Sequence, residues 1–383
     1  MVKLALLGAT GSIGKSTLEV VKEQAQRYSI QIASAHSDFQ KLFQIALDFS
    51  VPVLVLTGIT ERAEQNAVRL YAPHQNVFFG EEELLAALRN EDYDIALNAI
   101  SGSAGLRSSF AIAQRGKRLA LANKESLVLA GHLLMPLIKE TGTELIPVDS
   151  EHSALFQCIG AHPESGIRKV HITASGGAFR DLPLAEFARI TVEQALRHPN
   201  WNMGAKVTLD SATMFNKALE VMEAHWLFGL PYEKIGAVLH PQSVIHSLVE
   251  FVDGSLLAQL SVPDMKLPIL YALSHPRHLT SNLVRTSLLD LPPLTFAPLG
   301  KDRYPLYYLG LDVAKEGGIL PTILNSANEA ALRLFQTGRI AFTDIYRICA
   351  DAIEGYANIA KPDLDTIVAV NSAVYQQTLA SPT

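Results

Sequence analysis

The first sixteen residues constrain this chain more than any other stretch. "VKLALLGATGSIGKS" runs a short apolar strand into a glycine-rich turn and then directly into a helix. The glycines are Gly8, Gly11 and Gly14, a GxxGxxG spacing where GxGxxG is commoner. Glycine serves the same ends in either spacing: the chain turns tightly, a pyrophosphate approaches the backbone, and the helix packs closely on the strand. The helix N-terminus then turns unpaired N–H groups and a positive dipole end toward the phosphates. A dinucleotide site is therefore expected here, ahead of a merely structural turn.

The same rhythm continues to about Asp149. "QIASA", "PVLVLT", "DIALNAI", "RLALAN" and "ELIPV" are short apolar runs separated by amphipathic helical stretches. This alternation predicts a doubly wound parallel sheet over 1–149. An α+β domain is expected over 150–285, with strand candidates "KVHITAS", "IGAVLH", "VIHSLVEFV" and "SLLAQLSV". The last two flank Asp253-Gly254, a hairpin turn signal. A Pro-rich linker is expected over 286–304, followed by a helical bundle over 305–383 with helices near 304–316, 319–338, 342–357 and 363–380.

Composition closes off several classes of function. A net charge of −6 and the lack of a long Lys/Arg cluster argue against a nucleic-acid partner. No apolar run approaches the roughly 18 residues that cross a bilayer, so no membrane partner is expected. The first strand begins almost at the N-terminus, which leaves no room for a targeting peptide. Cys158 and Cys349 form no CxxC pattern and are expected as reduced, buried thiols of a cytoplasmic protein.

Several short segments carry the candidate chemistry. "VDSEHSA" puts Asp149 and Glu151 two residues apart, so in an extended segment both carboxylates point to one side. Two carboxylates at one point need a cation or a shared proton between them. The competing local reading is a helix N-terminus with Asp149 or Ser150 as cap, and locally that reading leads. "NKE" (Asn123-Lys124-Glu125) follows a strand, where a lysine faces the crevice of an open α/β sheet; a solvated loop lysine fits equally well. "SGG" at Ser175-Gly176-Gly177 can wrap an anion but is also a common turn. "HPNWNMGAKVTLDSATMFNKALEVMEAHW" joins a loop able to cover a ligand to a helix. On that helix Asn216 and Glu220 share one face with Lys217 beside them, and Glu223 is a rival acid one turn on.

These motifs, in this order and over essentially the whole chain, resemble the 1-deoxy-D-xylulose 5-phosphate reductoisomerase family. "GATGSIG", "NKE", "VDSEHSA", "SGGAFR", "HPNWNMGAKVTLDSATMFNKALEVMEA" and "HPQSVIHSLVEF" carry the resemblance. It implies an NADPH-binding Rossmann-like domain, a central α+β catalytic and dimerisation domain, and a C-terminal helical bundle. It implies one divalent cation, Mg²⁺ or Mn²⁺, held by Asp149, Glu151 and Glu220, oxygen ligands that suit such hard ions. Ser150 would touch the substrate, 1-deoxy-D-xylulose 5-phosphate. Ser175, Ser211, Asn216 and Lys217 would hold its phosphate, with His198 nearby. Lys124 would reach the reacting end, and it and Glu151 are the candidates for moving protons.

Trp201 and Met203 would belong to a loop that closes over the ligand. Thr10, Gly11, Ser12 and Ile13 would bind the pyrophosphate, with Asn123, Lys124, Glu125, Gly204 and Met265 also lining the cofactor. The implied reaction is retro-aldol cleavage and recombination, then hydride transfer, giving 2-C-methyl-D-erythritol 4-phosphate. A homodimer is implied as well. Three positions depart from the family's pattern. Ala218 stands where glycine is common and Ala178 where proline is frequent. Ala35-His36-Ser37 at the second-strand tip replaces a form with glycine and asparagine. The tip carries no acid, which favours NADPH over NADH, with His36 and Ser37 available to the 2′-phosphate.

Overall fold

In a computed structural model, residues 1–160, 166–201 and 203–380 are described. They form two compact units that are not sequential. The first comprises Met1–Asn123, Leu134–Ser153 and Asp264–Val284; the second comprises Lys124–Leu133, Ala154–Pro263 and Arg285–Thr383. The segment holding Met265, expected inside the central domain, thus joins the nucleotide-binding half.

The first half of the chain alternates strand and helix: β1 (Val2–Leu7), α1 (Ser12–Glu23), β2 (Tyr28–Ala35), α2 (Phe39–Phe49), β3 (Val53–Leu56), α3 (Arg62–Tyr71) and β4 (Val77–Phe79). There follow α4 (Glu81–Asn90), β5 (Ile95–Asn98), α5 (Leu106–Gln114), β6 (Arg118–Leu121), α6 (Glu125–Thr141) and β7 (Leu145–Pro147). Among the described residues these seven strands make one parallel sheet in the order β4-β3-β2-β1-β5-β6-β7. Strands buried on both faces read as unbroken apolar runs; "VLVL" of β3 is buried throughout, as are residues 4–7 of β1. The three-residue edge strand β4 was not expected, because "VFF" is too short for a periodicity to show.

The order reverses between β1 and β5, and Gly8 sits at that switch point (φ +77°). A Cβ there would lie 2.6 Å from the carbonyl oxygen of Ala99. A Cβ on Gly14 would lie 2.4 Å from the carbonyl oxygen of Ala9, so only glycine lets α1 start this close to the turn.

The chain continues through α7 (Ser150–Ile159), β8 (Ile167–Ala174), α8 (Val192–Ala195), α9 (Ala205–Ala212), α10 (Phe215–Phe228), β9 (Ile235–Leu239), β10 (Ile245–Phe251) and β11 (Leu256–Leu260). Strands β8–β11 form a second sheet in the order β11-β10-β8-β9. Both pairings of β10 are antiparallel and β8–β9 is parallel, and the β10–β11 hairpin turns at Asp253-Gly254 as its sequence signals. Helix α11 (Lys266–Ser274) packs in the first unit, where Lys266 pairs with Glu19 of α1 at 3.1 Å.

Four helices close the second unit: α12 (Pro305–Glu316), α13 (Leu320–Gln336), α14 (Asp344–Glu354) and α15 (Leu364–Ala380). They fall within a few residues of the four expected. Of the two thiols, Cys349 is buried and Cys158 half-buried, and burial pushes both upward from the usual range.

Helices α10 and α12 approach at Ala218 and Gly310. A Cβ on Gly310 would lie 2.5 Å from the Ala218 methyl. The alanine that departs from the family's glycine is therefore accommodated by a glycine on the facing helix. Gly310→Ala is expected to cost about 1–3 kcal/mol by overpacking, and Ala218→Gly combined with it to restore most of that loss. Urea unfolding of the two single variants and the double variant measures this. Equal stability of the double variant and Gly310→Ala would refute the size pairing.

Candidate functional site

In the first unit, the turn after β1 delivers backbone donors. Gly11 is the N-cap of α1, and no side chain caps the helix. The first-turn N–H groups of Ser12 and Ile13 therefore face outward at a helix N-terminus that nothing in the turn neutralises. At the tip of β2 both His36 and Ser37 are exposed, as a 2′-phosphate contact requires. Asp38, the nearest acid, is used otherwise: it caps α2 by accepting from the Lys41 N–H at 3.2 Å and pairs with the Lys41 ammonium at 2.5 Å. The Asn123 side chain is buried, donating to the carbonyls of Ile100 (2.7 Å) and Gly102 (2.8 Å). It pins the loops after β5 and β6 to each other, so its amide N–H groups are turned away from a cofactor.

The acids of "VDSEHSA" begin a helix rather than lying in an extended strand. Asp149 precedes α7, its Oδ1 accepts from the Ser150 N–H at 3.1 Å, and the Ser150 hydroxyl donates to Glu151 at 2.5 Å. The carboxylates of Asp149 and Glu151 nevertheless come within 4.8 Å of each other. The helix start brings the two acids to one place, and its dipole favours their charge. Two hard oxygen donors so close fit a divalent cation.

The second unit holds the other candidates. Helices α9 and α10 are joined by Met214 in the left-handed region (φ 60°, ψ 12°), an unusual state for a side chain of this size. The joint starts α10 with Asn216, Lys217 and Glu220 facing inward. Glu220 is 1% exposed and accepts from three groups: the Lys124 ammonium at 3.3 Å, the Asn216 amide and the Lys217 ammonium. Lys124 also donates to Asn216 Oδ1 at 2.9 Å. The expected lysine is therefore no solvated loop residue, and the α10 face is no exposed one.

The "SGG" turn uses two left-handed glycines, Gly176 (φ +87°) and Gly177 (φ +69°). A Cβ on Gly177 would lie 2.3 Å from the carbonyl oxygen of Ser211, so the turn presses against the end of α9 and brings the Ser175 and Ser211 segments together. The turn is braced from behind: the Tyr304 hydroxyl donates to the Gly176 carbonyl at 2.9 Å, and Arg303 donates to the carbonyls of Phe179 and Leu182.

His198 sets the hydrogen-bond polarity of this corner. Its Nδ1 accepts from the N–H groups of Asn200 (3.1 Å) and Trp201 (3.0 Å), which leaves the proton of a neutral ring on Nε2. Nε2 then donates to the Ser175 hydroxyl oxygen at 3.0 Å, which also accepts from the Gly177 N–H at 3.2 Å. The Ser175 proton is consequently left for an acceptor outside the turn. Asn200 fastens the base of the following loop to the Pro241 carbonyl (2.7 Å) and the Ser243 hydroxyl (2.8 Å). Trp201 and Met203 are half-buried.

Glu125 differs from the expectation of a cofactor contact. Its carboxylate is 8% exposed and receives the Lys206 ammonium at 2.9 Å. Lys206 also pairs with Asp210 at 2.8 Å and lies 3.9 Å from Glu329 on α13. Burial pushes Glu125 up, but the charge and hydrogen bond of Lys206 outweigh it and hold the carboxyl below its ordinary range. At Glu329 burial prevails and the carboxyl is raised. Asp210 accepts from Asn328 of α13 at 2.7 Å. Lys206, Asp210 and Glu329 are not candidates from the sequence; the signal available there is Lys206 and Asp210 at i and i+4 on one helix face.

The chain matches family models described as 1-deoxy-D-xylulose 5-phosphate reductoisomerase over residues 4–131 and its C-terminal domain over residues 145–228, with a further DXP reductoisomerase C-terminal domain over 260–377. It is 44% identical to the 1-deoxy-D-xylulose 5-phosphate reductoisomerase of Geobacillus kaustophilus, over 99% of each chain. It is 43% identical to that of Cupriavidus metallidurans, over 97% of this chain and 96% of the relative. Among solved structures it is similar to a DOX-P reductoisomerase in complex with NADPH, fosmidomycin and magnesium (36% identity, TM-score 0.93, 99% and 98% of the two chains covered). It is also similar to the Zymomonas mobilis enzyme in complex with NADPH (37% identity, TM-score 0.89, the same coverage).

Removing Glu220 takes away the carboxylate that two buried ammonium groups share. Glu220→Ala is expected to lower the unfolding free energy of the metal-free protein by about 3 kcal/mol. Urea denaturation in EDTA measures it; an unchanged midpoint would show that Lys124 and Lys217 do not depend on this acid.

Proposed function

This chain belongs to the 1-deoxy-D-xylulose 5-phosphate reductoisomerase family, and from that premise we propose which of its residues carry the reaction. The reaction is the NADPH- and divalent-metal-dependent conversion of 1-deoxy-D-xylulose 5-phosphate to 2-C-methyl-D-erythritol 4-phosphate. The observation that supports the assignment best is the shared acceptor Glu220, on which Lys124, Asn216 and Lys217 converge.

Asp149, Glu151 and Glu220 hold the cation, Mg²⁺ or Mn²⁺, through oxygen ligands. When bound, the cation supplies Lewis-acid polarisation of the substrate's ketone, and NADPH supplies the hydride. Lys124 lies at the reacting end, where its ammonium donates to an oxygen that gains negative charge. Ser150 adds a hydroxyl contact. Lys124 and Glu151 are the proton carriers: one donates and the other, when free of Ser150, accepts.

Ser175, Ser211, Asn216 and Lys217 grip the substrate phosphate, with His198 orienting Ser175 so that its hydroxyl proton meets an acceptor. Holding the phosphate keeps the two carbon fragments together between cleavage and recombination, a gain from proximity. Trp201 and Met203 cover the reacting groups and keep water away. On the cofactor side, the N–H groups of Ser12 and Ile13 take the pyrophosphate beside Thr10 and Gly11, whose own N–H closes the turn on the Gly8 carbonyl. His36 and Ser37 meet the 2′-phosphate, which an acid at that tip would repel. Gly204 and Met265 line the cofactor, as do the backbones of Asn123 and Glu125.

The protein works as a homodimer in the cytoplasm, where NADPH is supplied. Support for the dimer comes from β11, an edge strand that exposes Leu256, Leu257 and Leu260 (57%, 40% and 37% exposed). A row of apolar side chains along an open edge invites pairing with a second copy. No helix among the described residues is long and apolar enough to cross a membrane.

NADPH absorbance followed with 1-deoxy-D-xylulose 5-phosphate tests the site. Oxidation is expected with Mg²⁺, to stop with EDTA, and to fall on the order of 10³-fold in Glu220→Ala and in Asp149→Ala. Metal-independent oxidation, unchanged in both variants, would remove the three acids from the reaction. For the dimer, Leu257→Lys is expected to sediment as a monomer at concentrations where the unsubstituted protein sediments as a dimer. Identical sedimentation would exclude the β11 edge.

A further inference from the structure

Lys206 takes no part in the reaction as assigned above, yet its ammonium joins three parts of the second unit. Its partners are Glu125 at 2.9 Å and Asp210 at 2.8 Å, with Glu329 at 3.9 Å. Glu125 directly follows Lys124. Lys206 itself stands two residues after Gly204, the residue at which the loop of Trp201 and Met203 enters α9. Asp210 directly precedes Ser211 and is tied to α13 by Asn328 at 2.7 Å. Glu329 is on α13 too, where Asn325 donates to it at 3.1 Å.

One cation thus faces three carboxylates whose side chains are 8%, 1% and 17% exposed. Buried carboxylates brought this close to one another are reconciled by the cation they share. The arrangement is costly as a mere brace, since well-packed apolar side chains brace a core at least as well. What the charged cluster gives that apolar packing does not is a fixed direction for each partner.

We propose that Lys206 is a positioning residue for Lys124: through Glu125 it fixes the turn carrying Lys124 against the stem of the covering loop and the Ser211 end of α9. The start of α9 and the reacting ammonium are then referred to one point. The inference rests on the assignment of Lys124 to the reacting end.

The test is a double-mutant cycle on the full-length holoenzyme with Mg²⁺ and NADPH, using Lys206→Met, Lys124→Met and the double variant in single-turnover NADPH oxidation. Lys206→Met is expected to lower the rate on the order of 10²-fold, as a misplaced group does. The KM for 1-deoxy-D-xylulose 5-phosphate and the Kd for NADPH are expected to stay within about threefold, and Lys206→Arg to recover most of the rate. If Lys206 acts through Lys124, the double variant is no slower than Lys124→Met alone. Multiplying effects, with Lys124→Met itself impaired, would overturn the coupling and leave the role of Lys124 intact. A wild-type rate in Lys124→Met would instead overturn the site assignment and this inference with it. Where Lys206→Met does not fold, by circular dichroism, Glu125→Gln takes its place in the same cycle; it keeps the side chain's size and removes its charge. An unchanged rate in folded Glu125→Gln or Lys206→Met would equally overturn the proposal.

Discussion

A single buried carboxylate organises the chemistry of the second unit. Glu220 is enclosed in a helix, and an isolated charge there would be very unfavourable. It is tolerated because two ammonium groups and an amide converge on it, the same groups proposed above to act on the substrate. The dependence is mutual, since Lys124 and Lys217 would repel each other without the acid. Their geometry follows from the joint at Met214, whose left-handed backbone helps turn α9 into α10 within two residues and aims the first turn of α10 inward.

The nucleotide half obeys a different constraint, that of close backbone approach. There the requirement is the absence of side chains. Gly8 at the strand-order reversal and Gly14 in the first turn of the helix leave no space for a methyl group. The result is a bare helix end rather than a cluster of charged side chains. The proposed function thus asks one chain to handle anions in two ways, by backbone dipoles for the pyrophosphate and by side-chain donors for the substrate phosphate.

The sequence made much of this legible, and unevenly. The parallel sheet could be read because strands buried on both faces are unbroken apolar runs, and the four terminal helices because glycine and proline mark their ends. The edge strand β4 was too short to show a pattern. The Asp149–Glu151 pair allows two local readings, converging carboxylates on an extended segment and a helix N-terminus, and the leading one, the helix start, is what the chain forms. Spacing alone does not reveal that the two acids converge there as well. The position of α11 in the first unit escaped notice because chain order does not reveal which surface a helix returns to cover. Glu125 is expected at the cofactor as part of "NKE"; its carboxylate turns to Lys206, which the motif does not show. The Lys206 cluster itself joins positions more than a hundred residues apart, from Glu125 to Glu329, and no local pattern contains such a contact.

The Ala218–Gly310 contact has a consequence for how such a chain can change. Two small residues facing each other across a helix crossing hold space for one methyl group, and either side can carry it. With glycine on both, the crossing has slack, and either position can gain a methyl group without penalty. With alanine on both it is overfilled. A lineage can exchange the methyl from one helix to the other only by passing first through the pair of glycines, so the order of the two substitutions is fixed even though the starting and final states pack equally well.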